Sequence, residues 1–212
     1  IWYDSTDVVA TISKVTSDIV RTVAPDVEEH YIPHAIPTDL FKPSSPAAQS
    51  SFRREHFGFG DDRFLVFWSN RNARRKQSGS LIFWFDDFLK KLKKKDKNAK
   101  ATLIMHTDSR DPNGQDLNAI INNLGYVDKE VLISPQKVPP QALAEIYSAA
   151  DCTINISDAE GFGLATFESL ACETSVIVTM TGGLQEQVTH IEKVSEDIML
   201  KRSSKMKSVT EY

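Results

Sequence analysis

The stretch Cys152-Thr153-Ile154-Asn155-Ile156-Ser157, followed by Asp158-Ala159-Glu160-Gly161-Phe162-Gly163-Leu164 and a run through Glu168 to Cys172, reads as strand, turn and helix. The near-continuous apolar run Phe64-Leu65-Val66-Phe67-Trp68, upstream of it, is what a strand covered on both faces requires. Two glycines in the turn let the backbone approach a ligand closely. The helix that follows offers free N–H groups and the positive end of its dipole to an anion. Working outward, the same alternation recurs. Further strands are expected at residues 7–13, 63–69, 101–106, 131–134 and 175–179. Leu81, Trp84, Phe85, Phe88, Leu89 and Leu92 mark one face of an amphipathic helix between two of them. Pro139-Pro140 opens another, over 141–150, with proline in its first turn. Apolar strands alternating with helices imply an α/β fold, a doubly wound parallel sheet of Rossmann-like type.

Residues 7–13, a helical 14–24 and 28–33 make a βαβ-like unit. Behind it comes the proline-rich Pro33-His34-Ala35-Ile36-Pro37-Thr38-Asp39-Leu40-Phe41-Lys42-Pro43. Prolines stiffen and extend such a segment. We therefore expect residues 1–45 to be the end of one domain plus a linker, and 46–212 to be a second domain. One βαβ unit does not bury a core alone, so the chain reads as part of something longer.

Composition narrows the class. The 212 residues are 41% apolar and 25% charged, which excludes a disordered or collagen-like chain. A net charge of -4 gives no reason to expect a nucleic-acid partner. Two cysteines, Cys152 and Cys172, are too few for a disulfide scaffold and fit a cytoplasmic location. No apolar run is long enough to span a bilayer.

Two other loops carry chemistry. Ser69-Asn70-Arg71-Asn72-Ala73-Arg74-Arg75-Lys76 follows a strand, and Arg71 and Lys76 are spaced so that one cation leaves the strand end and the other the incoming helix. Arg offers phosphate a planar fork and Lys a point charge; the plainer alternative is a solvated basic loop. Thr181-Gly182-Gly183 again follows a strand and precedes a helix. Glu168, near the first turn of its helix, is placed to accept bonds from neighbouring hydroxyls such as a ribose diol; otherwise it is a surface Glu near a helix start. Three loops on one sheet edge point to a phosphorylated ligand that carries a sugar.

Taken together, Tyr147-Ser148-Ala149-Ala150-Asp151, Glu160-Gly161-Phe162-Gly163-Leu164 with Glu168, and Thr181-Gly182-Gly183-Leu184 with Glu186 resemble the donor domain of retaining GT-B glycosyltransferases, the group 1 family with the E-x7-E signature. Arg71 and Lys76 match its phosphate-binding pair, and residues 32–43 resemble its interdomain connector. The resemblance implies a retaining, hexosyl-type transferase whose donor is a UDP- or GDP-sugar, with no metal cofactor. Arg71, Lys76 and Glu160 would be the catalytic residues, the cations at the diphosphate and Glu160 at the donor sugar. Gly161, Phe162, Gly163 and Leu164 would contact phosphate and sugar, and Glu168 the ribose. Ser134 and Gln136 would lie at the base, and Thr181, Gly182 and Gly183 at the phosphate. An N-terminal domain would supply the acceptor site and a histidine near the reacting carbon; His34 is not that histidine.

Departures from the family pattern are Asn70, Ala35 and Glu173 in place of glycines, and Ser175 and Gln185 where proline is frequent. Its final crossover helix is not recognisable in residues 189–212. The alternative function is a non-catalytic nucleotide-sugar binding or scaffold module, against which the intact Arg71, Lys76, Glu160 and Glu168 argue. A dinucleotide oxidoreductase is a poor fit, since Thr166 replaces the third glycine of that fingerprint and no acid stands at 179–181.

Other features read as plain. Seven lysines within residues 90–100 are expected to be a solvated helix end, with peripheral docking on an anionic membrane, or a lipid-linked acceptor, as the alternative. Asp108, Asp111, Asn113 and Asp116 lack calcium-loop spacing. His106 faces the expected crevice, where a structural hydrogen bond is at least as good a reading as donor contact. His30, His56 and His190 form no constellation.

Overall fold

The computed structural model describes residues 3–192. At its centre lies β3 (Arg63–Ser69), which pairs in parallel with β4 (Lys100–His106) on one side and β6 (Cys152–Asn155) on the other. β5 (Val131–Ser134) and β7 (Ser175–Val178) complete the sheet in the order β5-β4-β3-β6-β7, every pair parallel. The chain runs outward from β3 to β5, then returns to the other side of β3 with β6. That reversal opens a crevice beyond the carboxyl ends of β3 and β6, where open α/β sheets bind ligands.

Both faces of β3 are covered. Val66 and Trp68 join Leu81, Ile82, Phe85 and Leu89 of α3 (Ser78–Lys95) and Leu117 of α4 (Leu117–Leu124). Leu65 and Phe67 point the other way, onto Tyr147 and Ala144 of α5 (Pro140–Ala149) and onto Cys172 after α6 (Leu164–Ala171). The period-2 alternation of a strand thus feeds two cores from one apolar run.

Residues 8–31 form a separate two-stranded parallel ladder, β1 (Val8–Thr11) with β2 (Glu28–Tyr31), bridged by α1 (Lys14–Val23). The expected strand over 7–13 stops early because Ser13 leaves it to cap α1, its Oγ accepting from Thr16 N–H at 3.3 Å. The connector then docks on the main unit. Phe41 is buried against Tyr147, and the Ser148 hydroxyl donates to the Lys42 carbonyl at 3.1 Å and accepts from Ser44 N–H at 3.2 Å. α2 (Pro46–Phe52) begins at the proline that starts the expected second domain.

The expected strands over 152–157 and 175–179 also end early. Asn155 turns its side chain back to take the Ser157 hydroxyl at 2.6 Å, lifting Ile156 and Ser157 out of the ladder. Two helices, α2 and α4, were not anticipated. Asp116 caps α4 through Ala119 N–H at 3.0 Å and Gly125 closes it in the left-handed region. The final helix, α7 (Leu184–Glu192), runs to the end of the described part, so most of the segment expected to lack the crossover helix lies outside the described residues. Among the described residues, no helix is long and apolar enough to cross a membrane.

Candidate functional site

The loop after β3 is pinned from below. Asn72 is fully buried; its Nδ2 donates to the Gln115 carbonyl at 2.7 Å and its Oδ1 accepts from the Ser78 hydroxyl at 2.6 Å. From this anchor the chain makes a tight turn through Arg74–Lys76, and Gln77 enters α3 in the left-handed region with φ 55°. The turn drives Lys76 into the crevice, where only 7% of the residue remains exposed.

The loop after β6 brings Glu160 to meet it. One Glu160 oxygen, Oε1, pairs with Lys76 Nζ and accepts from Asn155 Nδ2 at 3.4 Å. The other, Oε2, accepts from Arg75 Nη1 at 2.9 Å. Burial works to raise the Glu160 pKa, but the hydrogen bonds from Lys76 and Arg75 outweigh it and hold the carboxyl below its ordinary value. Burial likewise lowers the Lys76 pKa, against the opposing pull of Glu160.

Glycine is required where the third loop meets the second. A Cβ on Gly182, already at φ 48°, would fall on the Glu160 carbonyl oxygen, and one on Gly183 would lie 2.8 Å from the Phe162 Cα. The packing is sealed by Gly183 N–H donating to that Glu160 carbonyl at 3.1 Å and by the Thr181 hydroxyl donating to the Asp158 carbonyl at 2.9 Å. Gly163, at φ 91°, is the N-cap of α6 and leaves no room for a Cβ against Leu184. The first N–H groups of α6 have no side-chain cap, and its first residues, Leu164 and Ala165, line the crevice.

The crevice holds about 270 Å³ and is lined by Lys76, Glu160, Phe162, Gly163 and Leu164, together with Asn70 and Ala165. Ile12 and His34 close it from the N-terminal side. The His34 ring packs edge-on against Phe162, with centroids 5.3 Å apart. A Cβ on Gly161 would lie 3.3 Å from Ile12 Cδ1.

Other residues singled out from the sequence face elsewhere. Arg71 is turned onto Asp111, Nε donating at 2.6 Å and Nη2 at 3.2 Å, outside the crevice lining. That guanidinium and the Asn113 groups hold the Asp111 carboxyl well below its ordinary range. Glu168, one turn into α6, accepts from the buried Tyr147 hydroxyl at 2.9 Å, and burial raises its pKa. Ser134 bonds His106 Nδ1 at 3.0 Å, while Gln136 is exposed. Sequence reasoning missed Arg75, whose only signal was its place in a basic triplet, and His34, which it confined to the connector. Of the lysine run, Lys90 pairs with Asp86 at 2.5 Å and Lys93 with Glu130 at 3.5 Å. Among the described residues, no group of three or more His, Cys, Asp or Glu is arranged to hold a metal ion.

A buried cation, a carboxylate and an open helix N-terminus at a strand-order reversal can neutralise an anionic group while hydrogen-bonding a neighbouring polar one. Comparison with known proteins gives the fold and the family. Among solved structures, sucrose-phosphate synthase from Thermosynechococcus elongatus superposes with a TM-score of 0.69 at 24% identity, over 86% of this chain and 43% of that one. Anabaena Alr3699/HepE in complex with UDP and glucose gives 0.66 at 19%, over 87% and 47%. These likenesses carry the fold, the Rossmann-like half of a GT-B glycosyltransferase. A D-inositol 3-phosphate glycosyltransferase from Xylanimonas cellulosilytica is 28% identical over 85% of this chain and 42% of its own length. The chain thus spans less than half the length of the curated relatives it matches. Residues 49–196 match the family model of glycosyl transferases group 1, well over half of the chain, and the chain belongs to that family.

Proposed function

We propose that this chain is the donor-binding half of a retaining glycosyltransferase that moves a hexosyl group from a UDP- or GDP-sugar to an acceptor held by an N-terminal domain. One observation carries the reading: Lys76, Glu160 and the N-terminus of α6 converge on one crevice at the sheet's strand-order reversal. Domain limits of 1–45 and 46–212 belong to the same reading. Structural neighbours solved in complex with UDP and glucose, or with UDP-glucose, support the donor class.

In this reading the bond from the sugar's anomeric carbon to the terminal phosphate oxygen breaks as a bond to an acceptor hydroxyl oxygen forms. The hydroxyl's proton passes to the departing nucleoside diphosphate, and negative charge grows on that diphosphate in the transition state. Lys76 and the α6 N–H groups meet that charge, so the stabilisation is largest when the bond is most broken. Arg71 reaches the phosphates by leaving Asp111. Glu160 takes hydroxyls of the sugar, Glu168 takes the ribose in exchange for Tyr147, and Ser134 with Gln136 lies at the base. Thr181, Gly182 and Gly183 serve by seating the Glu160 loop. No metal is required, since fixed cations supply the charge. A cytoplasmic location, with peripheral membrane contact toward a lipid-linked acceptor as its variant, completes the proposal.

Calorimetric titration with UDP, GDP and ADP tests it. One of the three should bind clearly best, with a Kd on the order of 10–100 μM, about -5.5 to -7 kcal/mol. Binding of none to the folded chain or to a longer protein that includes the N-terminal domain would leave the non-catalytic scaffold reading.

A further inference from the structure

Residue 75 grips the loop after β6 at three points. Its carbonyl accepts from Asp158 N–H at 2.8 Å, and its Nη1 donates to the Ala159 carbonyl at 2.6 Å and to Glu160 Oε2 at 2.9 Å. The two Glu160 oxygens therefore answer to different donors: Oε1 to Lys76 and Asn155, Oε2 to Arg75. Lys76 and the Glu160 side chain are both nearly buried, whereas the Arg75 side chain is half exposed and stays on the rim.

This arrangement meets a difficulty in the function proposed above, on which the inference rests. At rest, Glu160 occupies the cation that a diphosphate would need. A polyanion arriving at Lys76 must take it from a buried carboxylate, which is then left beside added negative charge with only the Asn155 amide on Oε1. Uncompensated, that carboxylate would pull back on Lys76 and oppose binding. Among the described residues, Arg75 is the other cation on Glu160.

We propose that Arg75 is a positioning residue that holds Glu160 through Oε2 and so frees Lys76 for the phosphates of a nucleoside diphosphate. It acts through Glu160 and does not itself contact the ligand.

A double-mutant cycle separates this from direct phosphate binding. Affinity is measured for whichever of UDP, GDP and ADP the wild-type chain binds best. Arg75→Ala should weaken binding about tenfold when Glu160 is present, and less than about twofold in a Glu160→Gln background, where no charge competes for Lys76. Arg75→Lys, which keeps the charge but not the fork, should fall between wild type and Arg75→Ala. Equal losses in both backgrounds would mean that Arg75 touches phosphate directly and would overturn the proposal, as would no loss in either.

A second readout needs no nucleotide. Burial lowers the Lys76 pKa most, against Glu160, and the Arg75 cation adds a little to it. In Arg75→Ala, Glu160 loses its Oε2 partner and answers to Lys76 as its charged partner. The NMR titration of the Lys76 side chain should then move upward, and an unmoved titration overturns the proposal. If neither the wild-type chain nor a longer protein that includes the N-terminal domain binds any of the three diphosphates, the donor reading falls. The Lys76 titration then still decides whether Arg75 shares hold of the Glu160–Lys76 pair.

Discussion

Lys76 and Arg71 leave the same loop, and each rests on a carboxylate brought from elsewhere in the chain, yet the two pairs differ in kind. Lys76 and Glu160 are each 8% exposed at the side chain; Arg71 is 65% exposed and Asp111 11%. A buried pair is strongly coupled and costly to break from one side, because the survivor is left charged and poorly solvated. A pair whose cation is largely solvated sits in higher dielectric and is cheaper to rearrange from that side. The difference divides the work of two cations that the sequence presents as equals. Lys76 fixes the shape of the resting site, and Arg71 is parked where leaving costs little.

The harshest way to break the comparison is to unseat Glu160 through its backbone. Gly182→Ala puts a Cβ onto the Glu160 carbonyl at a left-handed φ of 48°. It should cost ~3–4 kcal/mol, read as a lower denaturant midpoint. An unchanged midpoint would mean that the two loops are not locked together.

Next in size is Lys76→Ala. A charged hydrogen bond to phosphate is worth ~1.5–3 kcal/mol, so nucleoside diphosphate binding should weaken roughly 10- to 150-fold by calorimetry. A loss smaller than that of Arg71→Ala would invert the ranking.

Glu173→Gly serves as a control that touches neither pair. Glu173 follows α6 at φ 57°, where a glycine carries no Cβ penalty. Relief of the left-handed φ is offset by glycine's greater chain entropy and by loss of the Glu173 side-chain interaction. The change should therefore shift stability by less than about 1 kcal/mol in denaturant titration and leave nucleotide affinity alone.

Arg71→Ala should produce the smallest effect on the fold. Its unfolding midpoint should stay close to wild type, and nucleoside diphosphate binding should weaken by less than roughly tenfold. A large fall in the midpoint would show that the Arg71–Asp111 pair supports the fold as strongly as the buried one.

Legibility followed the range of the forces involved. β3 and α3 could be read because their burial imposes a period on neighbouring residues: Leu65 to Trp68 alternate between faces, and Leu81, Phe85 and Leu89 recur on one. α4 escaped because its capping Asp116 was read with Asp108, Asp111 and Asn113 as one polar loop. Each of those aspartates instead has its own turn, cap or ion-pair role. Lys76 and Glu160 could be named as site residues from their loops. Their resting contact could not, nor could the partnership of Arg71 with Asp111 forty positions away, since both depend on how separate loops fold back over the sheet edge. Glu173 is a case where the departure was visible in sequence and the backbone kept the glycine-like geometry regardless.

The connector has a mechanical consequence. It is clamped at Phe41, Lys42 and Ser44 against α5, while upstream of the clamp His34 leans on Phe162 and Ile12 roofs Gly161. A rigid rotation of the N-terminal unit would take that clamp as its fulcrum, with residues 32–40 as the lever arm. The gap over the crevice would then change with a single angle. In such a hinge, access to Lys76 and Glu160 would depend on leverage applied some distance away and on the contacts that bridge the two units, Glu186 of α7 accepting from Lys14 N–H and from the Tyr31 hydroxyl among them.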